Sequence, residues 1–301
     1  MSKTKNFSVL RRRKQLGFYL SIIIIPMLQF VVFYVGVNIN SIVMAFQKYV
    51  GGKFVWTGID NFKQIFINFR LEPAMLSSLK NSFMFYGIVV LTMITATFFS
   101  YYIYKKRAFY GLFRVVLFLP HIISNITFVI IFKYFTENAY PSIVELLTGN
   151  RPYGLISNPL TAKPTIIFFC AFIGFGTQML MFTGAMSGIS ESVSESASLD
   201  GIRPIQEYWY ITIPLIYPTL TTFIIVGVVG IFTNQMSLFS FFGVDADASL
   251  QTFGYMLYRG IKTANISGYS YLAALGLFFT LISVPLTFFV KWLLGKFDPM
   301  A

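Results

Sequence analysis

Six stretches of the chain run for about twenty residues without an Asp, Glu, Lys or Arg: 16–37, 81–104, 115–132, 164–186, 211–232 and 269–290. Each is close to the ~20 residues a helix needs to cross ~30 Å of hydrocarbon. The apolar residues are continuous rather than alternating, which excludes the two-residue period of a membrane strand and predicts helices. The pattern therefore predicts an all-α membrane protein with six transmembrane helices.

The polar connections divide into two kinds. Those at 38–80, 133–163 and 233–268 are moderately long and carry turn signals at Gly51-Gly52, Asn158-Pro159 and Asp245–Asp247. No repeat of 20–50 residues and no low-complexity tract interrupts the chain. One membrane domain is expected over 16–292, between a basic segment 1–15 and a tail 293–301, with an elbow at 189–214.

Composition supports the bilayer as solvent. The chain is 56% hydrophobic and 11% charged, where soluble domains are about 25% charged. Its 35 Phe against 18 Tyr and 3 Trp suit helices that face lipid. The net charge of +12 does not read as a nucleic-acid footprint, because the cations lie at the ends of apolar runs rather than in a patch. Lys3, Lys5, the Arg11–Lys14 cluster, Lys105, Lys106, Arg107, Arg114, Lys291 and Lys296 all fall on one side of a six-helix topology. The positive-inside rule makes that side cytoplasmic, with both termini on it. The apolar run after Arg11–Lys14 is too long for a signal-peptide core and lacks a small-x-small cleavage site, so it reads as an uncleaved first helix. Cys170 and His121 are the only residues of their kinds, which leaves no intrachain disulfide and no Cys/His metal cluster.

The elbow breaks the charge trend. It lies on the cytoplasmic side, yet it sets Glu191, Glu195, Asp200 and Glu207 against Arg203 alone. Ser192 and Glu195 have the spacing of a capping box, and Ile189, Val193 and Ala197 recur at four-residue spacing on one narrow apolar side. Gly201 is placed to stop that helix, and Pro204 to open a second one over 205–213. Pro214 and Pro218 mark the entry to the next span. Read alone, such a helix–turn–helix is either a solvated connector or a docking surface. Ser196 and Ala197 are small enough for another protein to approach, and Glu195 offers it a charge.

Glu195-Ser196-Ala197, Gly201, Ile211, Ile213 and Pro214 follow the pattern E-A-A-x3-G-x9-I-x-L-P, with Ser196 for Ala and Ile213 for Leu. This resembles the EAA loop of permease subunits in bacterial ABC importers. The run ASLDGIRPIQEYWYITIPLIYP is most similar to the maltose-permease-like sugar branch, as are WTGIDNFKQIF (56–66) and GLFRVVLFLPHIIS (111–124). The likeness covers about residues 10–297. It implies the type I importer permease fold in a bacterial plasma membrane. It also implies that the elbow docks in a groove of a cytoplasmic ATPase through Glu195, Ser196, Ala197, Asp200 and Gly201. Glu195 would meet a basic residue there, Ala197 would pack in the cleft, and Gly201 would make the turn. The implied partners are a second homologous permease, two ATP-binding subunits and an extracytoplasmic solute-binding protein, besides lipid and the sugar itself.

The chain carries no phosphate-binding loop, since Gly52-Lys53 is followed by Phe54 and Gly295-Lys296 by Phe297. ATP and Mg are accordingly expected on the partner subunits, with no cofactor and no catalytic residue in this chain. A transporter driven by an ion gradient is the competing class. It would place ionisable residues inside spans that here have none, which weighs against proton coupling and less against sodium held by carbonyls. A structural membrane subunit or insertase is disfavoured by the elbow. A solute such as glycerol phosphate or a polyamine is a further alternative, although spans without cations favour a neutral oligosaccharide.

Uncharged polar residues within the spans are the candidates for a sugar path. Thr233, Asn234 and Gln235 end the fifth; Gly174, Thr177 and Gln178 lie mid-way along the fourth; His121 and Asn125 follow Leu119-Pro120 in the third. The resemblance matches the positions after that Leu-Pro and around Gly174 best, while Met236 stands where many relatives have a polar group. Such residues also serve simply to bond neighbouring helices, at about 0.6 kcal/mol each.

Overall fold

The computed structural model describes residues 2–299, and the side chains of 15 and 17–299. The side chains of Lys3, Lys5 and the Arg11–Lys14 cluster, and residues 300–301 of the tail, lie outside the described residues. Long helices occupy Gly17–Ala45, Pro73–Tyr104, Pro159–Ser187, Tyr217–Phe242 and Ile266–Lys296, and the third span is a bent pair, Tyr110–Ile122 with Asn125–Thr148. These are the six apolar runs, extended by one to several turns. The 32-residue second helix would be about 48 Å long at 1.5 Å per residue. It overshoots the hydrocarbon and takes in Lys80, as the fourth takes in Lys163.

Local sequence sets the starts. Pro73 and Pro159 each occupy a first turn, where a missing N–H costs nothing. Asn158 caps the fourth helix by accepting from the Leu160 amide at 3.0 Å. The expectation of helices alone has one exception among the described residues. Gln47–Val50 and Lys53–Trp56 pair antiparallel, with Gln47 opposite Trp56 and Tyr49 opposite Phe54. Gly51 and Gly52 turn the hairpin with φ of +58° and +86°, the left-handed pair that suits the twist of its strands. Buried Asn61 donates to the carbonyls of Ala45 (2.8 Å) and Gln47 (2.9 Å), fastening the hairpin to the end of the first span.

Two spans depart from continuous helices. The expected run 115–132 is broken at Ile123–Ser124, both extended, and its halves are bent by 101°. Pro120 weakens the last turn before the break by withholding an N–H, and Ser124, a favoured capping residue type, opens the next helix. The fifth span starts at Tyr217 rather than 211, because 204–215 belongs to the elbow. It then unwinds after Thr233: Asn234 is extended, and Met236 and Ser237 are left-handed with φ of +51° and +56°. Helix resumes at Leu238–Phe242.

The chain forms two compact units, one of residues 1–65 and 264–278, the other of 66–263 and 279–301. The second unit holds the elbow and both breaks. Its packing includes a zone at each end of the spans. Met93, Ala96, Ile103, Met179 and Phe182 fill the elbow end. Phe85, Ile166, Leu238, Leu250 and Tyr255 fill the opposite end. Gly176 lets the third and fourth spans touch, since a Cβ there would lie 2.4 Å from the Leu117 carbonyl oxygen. Helices associate in lipid through such close approach rather than through exclusion of water.

Candidate functional site

The elbow begins with the helix Glu191–Leu199. The expected capping box is not formed. Ser190 is the capping residue, which places Ser192 in the first turn, where its hydroxyl pairs with that of Ser190 at 2.8 Å. The stop falls at Gly201, as expected. Its φ is +72°, and the Gly201 and Ile202 amides return to the carbonyls of Ser198 (3.2 Å) and Ala197 (3.1 Å), the paired bonds of a Schellman ending. Pro204 then opens a second helical stretch, and Gln206 Oε1 accepts from the Arg203 amide at 3.0 Å.

Ala197 is buried at 3% exposure within its own chain. It is the buried residue of this helix, whereas Val193, one turn earlier on the same apolar side, is exposed. Glu195, Ser196 and Asp200 are exposed beside it, and Leu199 is 88% exposed. The outward surface thus carries two carboxylates, a small hydroxyl and one uncovered leucine. A cleft of about 880 Å³ borders it, walled by Tyr104, Lys105, Lys106, Glu191 and Glu195.

Glu207 and Lys105 bind the elbow to the end of the second span. The Lys105 ammonium donates to Glu207 Oε1 and to Ser194 Oγ, both at 2.5 Å. Ser194 donates to the same Glu207 oxygen at 2.9 Å. One turn earlier, the Tyr101 hydroxyl reaches Glu207 Oε2 (3.1 Å) and the Pro204 carbonyl (2.9 Å). Burial alone would raise the Glu207 pKa, but the hydrogen bonds from Lys105 and Ser194, the Lys105 charge and the Tyr101 bond outweigh it, and the carboxyl titrates below its ordinary value. The sequence counted Glu207 among uncompensated acids of the loop. Its partner lies about a hundred residues earlier, so no local spacing could reveal the pair.

The two breaks meet at the far end of the same unit. Asn125 Nδ2 donates to Ser237 Oγ at 3.1 Å, joining the third span's break to the fifth's. His121 Nδ1 and Thr177 Oγ1 lie 3.1 Å apart across the third and fourth spans. The Asn234 side chain accepts from the Met236 amide at 2.9 Å, and its carbonyl accepts from Thr252 Oγ1 at 3.0 Å. These bonds hold two non-glycine left-handed residues, each costing about 1–3 kcal/mol. A groove of about 520 Å³ opens there, lined by Ser82, Tyr86, Gly227, Gly230, Thr233 and Asn234. Gln178 Oε1 and Gln235 Oε1 are buried without a hydrogen-bond partner among the described residues. Gly174 has open space where a Cβ would point, whereas Gly176 and Gly254 are the glycines that backbone crowds. Among the described residues, no three of His, Cys, Asp and Glu are grouped to hold a metal ion.

The model of a family described as binding-protein-dependent transport system inner membrane component matches residues 88–300. An arabinooligosaccharides transport system permease protein (AraP) of Halalkalibacterium halodurans is 26% identical, over 90% of this chain and 85% of that protein. A maltose/maltodextrin transport system permease protein (MalF) of Klebsiella aerogenes is 27% identical over 62% of this chain and 37% of its own longer one. Among solved structures, a chain of a bacterial ABC transporter that imports the acidic polysaccharide alginate superposes with a TM-score of 0.78 at 18% identity, covering 96% of this chain and 99% of that one. A chain of a bacterial alginate ABC transporter in complex with an alginate pentasaccharide-bound periplasmic protein gives 0.77 at 17% identity, over 96% of this chain and 98% of that one. At such identities the likeness is one of fold.

Proposed function

We infer the function of this chain from its family and its elbow: it belongs to the binding-protein-dependent transport system inner membrane components, and it is a multi-pass permease subunit of a carbohydrate ABC importer. The observation that carries the reading is the elbow. It is a fastened helix–turn–helix between the fourth and fifth spans, whose outward side presents Glu195, Ser196 and Leu199.

In the mechanism proposed, two partner ATPase subunits bind ATP and Mg and dock on that side. A second, related permease completes the membrane part, and a solute-binding protein delivers the sugar at the opposite end. The alginate transporter's complex with its periplasmic protein supports the last partner. The cations Lys105, Lys106, Arg107 and Arg114 at the elbow end support a cytoplasmic elbow and cytoplasmic termini. Closure of the ATPase dimer moves the elbow, the spans part at their breaks, and hydrolysis restores the inward-open state. In vesicles holding the whole complex, sugar uptake is expected to persist when an ionophore collapses ion gradients and to stop when ATP is removed. The reverse result would assign the chain to gradient-driven transport.

The sugar path is proposed along the breaks. Unwound helix frees backbone groups and is tolerated at membrane depth where it lines a cavity. The side chains there (His121, Asn125, Thr177, Thr233, Asn234, Gln235 and Ser237) are amides, hydroxyls and an imidazole, suited to a neutral oligosaccharide. Gln235 Oε1, an acceptor without a donor, is suited to a sugar hydroxyl. Gln235→Met keeps the volume and removes that acceptor. It should leave complex yield intact and lower uptake about tenfold, the worth of one hydrogen bond. Unchanged uptake would move the site elsewhere.

A further inference from the structure

The elbow is covalently continuous with the fourth and fifth spans, yet its side chains bond to the second. Four positions on the last turns of that span hold it. Thr97 Oγ1 lies 2.8 Å from the Tyr208 hydroxyl, and the Phe98 ring stacks on Tyr208 at 4.5 Å. Tyr101 reaches Pro204 and Glu207, and Lys105 reaches Ser194 and Glu207. Ser194 lies on the elbow's first helix and Glu207 on its second. One ammonium therefore ties both halves of the elbow to one span. The ion pair is largely removed from water, with side-chain exposures of 19% for Lys105 and 8% for Glu207.

The second span continues into the parts of the unit that form the breaks. Ser100 Oγ donates to the Met179 carbonyl of the fourth span at 2.8 Å. Gly227 of the fifth approaches Tyr86 so closely that a Cβ would meet that ring at 2.8 Å. At its far end, Ser82 accepts from the Phe253 amide (3.1 Å) and Asn81 donates to the carbonyls of Ser249 (2.7 Å) and Gln251 (2.9 Å). Gly254, next to Phe253, is the glycine against which the Asn234 backbone rests.

We propose that Lys105 is a positioning residue for transport: its shared bond with Glu207 and Ser194 makes the elbow and the second span one body, and that body carries elbow displacement to the broken end of the fifth span. The proposal rests on the reading of the elbow as the ATPase docking surface. Its physical content is directional. A charged donor shared between two acceptors resists both separation and sliding, whereas the covalent joint to the fourth span is a short non-helical turn at Gly188–Ile189.

The test uses the complete complex with its ATPase subunits, in a Cys170→Ala chain carrying spin labels at Ile205→Cys on the elbow's second helix and Ile94→Cys on the second span. Both positions are exposed. The distance between the labels is measured without nucleotide and with ATP trapped. It should stay within about 2 Å between states, while in the Lys105→Met chain it should shift by several ångströms, the scale of helix displacement in switching proteins. A state-dependent distance in the chain that keeps Lys105, with ATPase still bound, overturns the proposal and leaves the docking reading standing. Absence of bound ATPase in that same chain would overturn the docking reading itself. Uptake gives a second measure: Lys105→Glu and Glu207→Lys should each lower it at least about tenfold with ATPase activity retained, and the double reversal should recover most of it. Equal loss in the double reversal counts against a role for the pair.

Discussion

Replacing Glu195 by lysine is expected to abolish ATP-driven uptake while the chain still reaches the membrane at its normal level. Glu195 is exposed on the elbow, and no hydrogen bond or ion pair within the described residues engages its carboxylate. An exposed substitution of this kind alters stability by about 0.5 kcal/mol or less. The effect falls on the partner instead. If a basic residue of the ATPase faces Glu195, reversal turns an attraction into a repulsion, and like charges brought together at an interface cost several kcal/mol. Three kcal/mol is already more than a hundredfold in association. The measurement pairs uptake with ATPase retention on the purified membrane complex. Full uptake in the lysine variant would mean that the coupling surface lies off this face.

The second large effect belongs to Gly254. Gly254→Ala should cut both the yield of folded complex and its uptake by about tenfold or more. A Cβ at this position would lie 2.4 Å from the Asn234 carbonyl carbon, 2.5 Å from its oxygen and 2.5 Å from the Thr233 carbonyl carbon. These are backbone atoms, which cannot rotate away as a side chain would, and overpacking typically costs about 1–3 kcal/mol. The displaced segment is the one that holds Met236 and Ser237 left-handed, so the break loses its support as well as its packing. Thermal unfolding in detergent, followed by tryptophan fluorescence, measures the stability half of the effect. Gly174→Ala serves as the contrast, because open space surrounds that position. Equal behaviour of the two variants would sink the assignment of Gly254 as the support of the break.

Much of this architecture could be read along the chain. Uninterrupted apolar runs without ionisable residues located all the spans, because one helix satisfies its own backbone and needs no distant partner to be recognised. Gly201, Pro204 and the Gly51-Gly52 turn were legible for a similar reason, since each constrains its own φ. The capping box at Ser192 was not, because several serines compete for one helix start and their hydroxyls differ only in which turn they enter. The break at Ile123–Ser124 was hidden in a hydrophobic stretch: Pro120 signals a weakened turn, and it does not say whether the helix kinks, continues or ends.

The site followed the same division. Polar types at 121, 125, 177 and 233–235 marked a region, and the structure joined part of it through the Asn125–Ser237 bond. Sequence alone determined that the protein is helical, that it lives in lipid, and that an acidic, glycine-stopped elbow lies between its fourth and fifth spans, all properties fixed by residues within a few turns of one another. Tertiary structure alone decided that Lys105 neutralises Glu207, that Ala197 faces inward, and that two helices unwind against each other. Those outcomes depend on which surfaces touch across tens to more than a hundred residues, and burial and charge pairing have no meaning until that contact is made.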